Sequence, residues 1–185
     1  LNKAGQARSF EEHPHFGSLV DRIVRASENM GCFPRWPMLA QCETDYVATL
    51  DDDLVLRDER VLEDAVAAHR EECPDGIVGF FGWSAVPGKS YKAARHHNGT
   101  TTGTRCDVIK GRFMVLRRDQ LARVPLAIPG VSHREDDIYI SLCVSRGAPG
   151  AHLVPARLGK RWKELPQRGA SATSEPGHYK SRDET

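Results

Sequence analysis

The chain has 185 residues, with 26 Lys and Arg against 25 Asp and Glu, and a formal net charge of +1. That length supports one ordinary core, so a single domain over residues 1–185 is expected, and the even charge balance removes the electrostatic case for nucleic acid as the main partner. No apolar run reaches the roughly 20 residues a membrane helix needs. The five cysteines are scattered without a Cys-x-x-Cys spacing, so neither a zinc ribbon nor a disulfide framework is indicated. The chain begins at Leu1 rather than Met, which leaves the compartment open between cytoplasm and secretory lumen.

Residues 1–17 are polar and read as a loop or arm. Residues 18–25 alternate weakly, as a short strand or a helical turn. Trp36, Leu39 and Ala40 have helical spacing and predict a short helix over 35–42. The apolar run 46–50 reads as a buried strand. Residues 58–72 give the clearest helix, with Val61, Leu62, Ala65, Val66 and Ala68 on one side and Pro74-Asp75-Gly76 as the stop. A second apolar strand is expected over 77–81, then a long loop or ragged hairpin over 84–103. Residues 106–116 read as one strand, with Gly111 as a bulge or point of close approach. A short helix over 118–124 follows, then a loop over 131–135. A helix over 136–146 is ended by Gly147, and a last strand is expected over 152–155. Residues 160–185 carry no periodicity and read as a flexible basic tail. The mixed order of strands and helices indicates an α/β domain with a mixed sheet.

The strand over 46–50 runs straight into Asp51, Asp52 and Asp53. Three adjacent carboxylates repel one another, and at a strand end they suit a hard divalent cation shared with substrate phosphates. A solvated acidic turn is the plain alternative. A second acidic run, Glu135-Asp136-Asp137, opens the helix over 136–146. Capping and the helix dipole explain acids at such a place, while a rigidly held carboxylate there could also serve as a general base. Arg35, next to Trp36, suits a phosphate contact, or is simply an exposed arginine beside a core indole. His178, in Gly177-His178-Tyr179 with Lys180 and Arg182 nearby, could complete a metal shell from the tail. His96-His97 lacks a third ligand nearby in sequence. No phosphate-loop, dinucleotide or nucleophile-elbow fingerprint is present.

Taken in order, these motifs resemble the GT-A glycosyltransferases, most closely the exostosin-like branch (GT64), with GT2-type enzymes as the nearest alternative. The resemblance lies in the segment 29–36, the Asp51-Asp52-Asp53 form of the DXD motif, the run Cys73-Pro74-Asp75-Gly76-Ile77-Val78-Gly79-Phe80, and the strand 107–116 followed by Asp136-Asp137-Ile138. It implies a Rossmann-like mixed sheet flanked by helices, here lacking the first N-terminal βα units. It also implies a metal-dependent transferase acting on a nucleotide sugar, UDP-linked, and a saccharide acceptor. Asp53 and His178 would hold Mn²⁺ or Mg²⁺, Arg35, Asp51 and Asp52 would contact the donor, and Asp136 and Asp137 would carry the chemistry. Asp137 would act as base in an inverting enzyme and as an orienting group in a retaining one. Two alternatives stand beside this reading: a non-catalytic carbohydrate- or metal-binding remnant of the fold, and a Mg²⁺-dependent nucleotidyltransferase.

Overall fold

The computed structural model describes residues 20–25, 27, 30–99, 102–125 and 135–166. The chain divides into two units, Leu1–Gly31 and Cys32–Thr185. In the first, the described residues form neither helix nor strand, so the element expected over 18–25 is not found in its described part.

In the second unit, α1 (Arg35–Ala40) leads into β1 (Tyr46–Leu50) and β2 (Leu54–Leu56). Next come α2 (Val61–Glu72), β3 (Val78–Gly79), β4 (Phe81–Ser84) and β5 (Arg95–Asn98). They are followed by β6 (Thr104–Cys106), β7 (Val108–Ile109), β8 (Phe113–Arg117), α3 (Asp136–Ser145), β9 (His152–Val154) and β10 (Trp162–Glu164). Five strands form one mixed sheet in the order β1-β8-β3-β9-β6. β8 runs antiparallel to β1 and β3, and β3 runs parallel to β9. A three-stranded sheet, β5-β4-β7, and a two-stranded ribbon, β10-β2, complete the set. The mixed α/β class is as expected. No described helix is long and apolar enough to cross a membrane.

Four buried residues in a row, Phe113 to Leu116, mark β8 as a strand covered on both faces. Phe113 and Val115 pack on the side of α2, with Val61, Ala65 and Ala68. Met114 and Leu116 pack on the other side, with Trp36 of α1 and Ile140 and Val144 of α3. The sheet is therefore a middle layer between helices.

Two strands expected to be continuous are broken. The run 77–81 splits at Phe80, with β3 in the large sheet and β4 in the small one. Gly79 allows this: a Cβ there would lie 2.5 Å from the Phe113 carbonyl and 2.4 Å from Ile109 Cγ2. The run 106–116 becomes β6, β7 and β8, distributed over both sheets. The long loop over 84–103 holds β5, paired with β4 from Phe81↔Asn98 to Ser84↔Arg95.

The tail expectation is corrected in its first residues. β10 pairs with β2, and Arg161 reaches back to Asp58 at 2.7 Å and Asp64 at 2.6 Å. Arg157 similarly pairs with Glu71 and Glu72. These arginines are paired with the acids on and beside α2.

Candidate functional site

β1 and β3 both run antiparallel to β8, so their carboxyl ends lie at the end of the sheet where β8 begins. Ligands in open α/β sheets sit beyond carboxyl strand ends. Asp51, Asp52 and Asp53 lie there, in a turn closed by the Leu54 N–H on the Asp51 carbonyl at 3.1 Å. The Asp51 N–H in turn donates to the Arg112 carbonyl at 2.9 Å. Asp52 is exposed at the tip of the turn, and Asp51 and Asp53 are half-buried.

Arg35 is the keystone. Its Nη1 donates to Asp51 Oδ1 at 3.1 Å and to the Gly111 carbonyl at 3.2 Å. Its Nε and Nη2 fork onto Asp136 at 2.9 and 3.4 Å. The Trp36 indole N–H adds a bond to Asp136 Oδ2 at 2.8 Å. Three segments far apart in sequence thus meet on one guanidinium: the β1 terminus, the Gly111 turn and the start of α3.

Asp136 and Asp137 are both buried. Asp137 accepts the Ile138 N–H at 2.9 Å and the Gly111 N–H at 3.4 Å, which ties the α3 start to the turn before β8. A Cβ at position 111 would stand 3.0 Å from Arg35 Nη2 and 3.5 Å from Asp137 Cβ, so any larger residue there would press on the guanidinium. The acids at the α3 start therefore do more than favour the helix dipole. Asp136 orients Arg35, and Asp137 clamps the turn.

Burial pushes the Asp136 carboxyl above the ordinary carboxylate range; Arg35 pulls against this and the neighbouring Asp137 adds to it. Asp51 is also raised, by burial first, with Arg35 opposing and Asp53 contributing. Burial works against the Arg35 charge as well, but Asp136 and Asp51 outweigh it and its pKa is raised. The Cys32 thiol is pushed up by burial and then by Asp136. The guanidinium remains charged between two carboxylates.

Two residues not singled out from sequence complete the site. Arg112 Nη2 pairs with Asp53 Oδ2 at 3.1 Å, and Arg112 Nη1 pairs with Glu164 Oε1 at 2.5 Å. Its guanidinium carbon lies 4.9 Å from the centre of the Phe81 ring. Leu165 N–H donates to the Asp53 carbonyl at 2.8 Å, so β10 is attached to the acidic turn by backbone as well as side chain. A glycine-arginine pair at the mouth of an apolar strand is the sequence signal that would have pointed to Arg112. Glu164 had none.

The donors offered here are carboxylate oxygens, which suit Mg²⁺ or Mn²⁺ rather than a soft metal. No group of three or more His, Cys, Asp or Glu stands around a common point among the described residues. A hard cation held by these carboxylates would need further ligands from outside the described residues. The described residues do not fit a closed protein cage. Gly177, His178, Lys180 and Arg182 lie outside the described residues, as do Asn29, His133 and Arg134. No protein-family model matches the chain, and no curated protein matches it.

Proposed function

We propose that the chain is a metal-dependent glycosyltransferase of GT-A type, moving a sugar from a nucleotide-sugar donor, UDP-linked, to a hydroxyl of a saccharide acceptor. The observation that carries this reading is the meeting of Asp51, Gly111 and Asp136 on Arg35 at the carboxyl end of β1. An acidic turn by itself has many explanations. One joined to a second acidic motif through a shared arginine, at the ligand-binding end of a mixed sheet, has far fewer.

In this reading Asp53 faces the cation, with His178 as a further ligand from the tail, and the exposed Asp52 faces the donor. Bound there, Mn²⁺ or Mg²⁺ supplies Lewis-acid neutralisation of the departing diphosphate. Asp51 contacts the donor and is oriented by Arg35. Asp136 fixes the guanidinium and Asp137 fixes the Gly111 backbone, so both set the geometry of the sugar site from beneath. The attachment of Leu165 to Asp53 starts the following segment at the acidic turn. His178 is thirteen residues further on, within reach of about 45 Å of extended chain at most.

Isothermal calorimetry with UDP, with and without Mn²⁺ and then with EDTA, tests the reading. Binding of UDP that requires Mn²⁺ and is abolished by Asp53→Asn supports it, whereas metal-independent binding or none removes it. A second reading, a sugar- or metal-binding protein without turnover, is favoured by one feature: Asp136 and Asp137 are buried and already hydrogen-bonded. Release of UDP from UDP-sugars in the presence of Mn²⁺ separates the two.

A further inference from the structure

We propose that Arg112 is a stand-in cation: its guanidinium holds Asp53 until a divalent ion takes that carboxylate, and it then turns to the diphosphate that arrives with the ion. This rests on reading the Asp51–Asp53 turn as a cation and diphosphate site. Three observations carry it. The Arg112 guanidinium is divided between two carboxylates, Asp53 at 3.1 Å and Glu164 at 2.5 Å, so release from Asp53 leaves it still paired. It lies over the Phe81 ring at 4.9 Å, and Phe81 is buried against Trp162 at 4.6 Å between ring centres. The ring is a fixed surface over which a planar cation can pivot without losing contact. Finally, Arg112 is anchored by its own carbonyl on the Asp51 N–H at 2.9 Å, so its backbone stays with the acidic turn whatever the side chain does.

The energetics follow from charge. Asp53 cannot serve a guanidinium and a divalent ion equally at one face, and two cations sharing it repel each other. A diphosphate offers the displaced arginine a new partner that guanidinium matches with two parallel hydrogen bonds. Ion and diphosphate therefore bind with positive coupling. Each removes a cost the other would meet alone. Glu164 sits on β10, so the state of Arg112 is also felt by the strand that leads into the tail.

A structural clamp and a competing cation differ in sign. Titration of Mn²⁺ alone, followed by electron paramagnetic resonance of the free ion, should show Arg112→Gln binding Mn²⁺ about tenfold more tightly than the wild type. At saturating Mn²⁺ the same variant should bind UDP about tenfold more weakly. Lys163→Gln, which removes an exposed charge beside Glu164, should change Mn²⁺ affinity by less than about twofold and so controls for charge alone. Unchanged or weaker Mn²⁺ binding in a folded Arg112→Gln overturns the proposal. The wild-type protein provides an independent measurement: phenylglyoxal labelling of Arg112, read by mass spectrometry, should accelerate with Mn²⁺ and slow again with Mn²⁺ and UDP. Labelling indifferent to Mn²⁺ overturns it too. Mn²⁺-dependent UDP binding with no effect of Arg112 removes this inference and leaves the transferase reading standing, while no Mn²⁺ binding by any variant removes both.

Discussion

Arg35 concentrates the energetics of the site. It serves one nearly buried carboxylate, Asp136, whose side chain is 3% exposed, and one more open, Asp51, at 35%. Removing the guanidinium leaves Asp136 with the Trp36 N–H as its principal donor. An exposed pair is worth little, and a broken buried pair costs several kcal/mol. Arg35 is 23% exposed and falls between, so Arg35→Gln should lower stability by about 2 kcal/mol in urea unfolding. Asp136→Asn placed on top should restore part of that loss, because the uncompensated charge is gone. A double-mutant cycle that gives simple additivity would mean the two residues are not coupled. In sequence, Arg35 could be read as a phosphate contact or an idle surface arginine. Its actual partners lie 16 and 101 residues away, and no local pattern reports a contact at that range.

At the level of elements, α3 ends in an unusual way. Arg146 adopts the left-handed conformation at φ 54° and ψ 34°, immediately before Gly147 at φ 75°. The sequence pointed to Gly147 as the stop, yet the chain turns one residue earlier, on a side chain that disfavours it. A left-handed residue other than glycine costs about 1 kcal/mol. Arg146→Gly should therefore stabilise by about 1 kcal/mol, read as a rise in the urea midpoint with an unchanged slope. The amphipathic α2 and the apolar β1 were legible because their periodicity is set by their own residues. The run 106–116 was not. Cys106, Val108, Ile109 and Phe113 are all buried, but in two different sheets, and an unbroken apolar run does not reveal where the chain changes layers. β10 was missed for the opposite reason. Trp162–Glu164 has no strand pattern of its own and is held by β2, Arg112 and Asp53.

For the whole molecule, acid is the expected weakness. His152 is fully buried, accepts the Ile77 N–H on Nδ1 at 3.0 Å, and donates from Nε2 to the Ser141 carbonyl at 3.0 Å. It joins the start of β3 to α3 only as the neutral ring. Burial lowers its pKa to about 4, and burial lowers that of the interior His69 too. Below the ordinary value of 6.5 the unfolded chain takes up these protons while the native one does not. Stability should therefore hold above pH 6.5 and fall between there and about 4, with His152 accounting for about 3 kcal/mol. The raised Asp51 and Asp136 act in the other sense, since the native state keeps their protons longer as pH rises. Urea unfolding from pH 7.5 to 4.5 should show the fall, and His152→Gln should flatten it; an equally steep fall in the variant would assign the acid sensitivity elsewhere. The placement of the acidic turn beyond a strand end was visible in the sequence, because an apolar run ending in three aspartates has few other arrangements. The sharing of two histidines between layers was not, because a lone histidine in sequence does not show whether it is buried.

The bond from Trp36 to Asp136 has a further consequence, for observation. The Trp36 ring is fully buried, with the Arg35 guanidinium carbon 5.9 Å from its centre and its N–H on a site carboxylate. Trp162, by contrast, packs on Phe81 beneath Arg112. Of the three tryptophans in the chain, one therefore lies against the Arg35 charges and one beside the ring under Arg112. Indole emission responds to nearby charge, so the protein carries an intrinsic optical reporter of those charges. Phenylalanine at position 36 or 162 would silence one indole at a time, and any rearrangement of these charges could be followed by light alone, without a label.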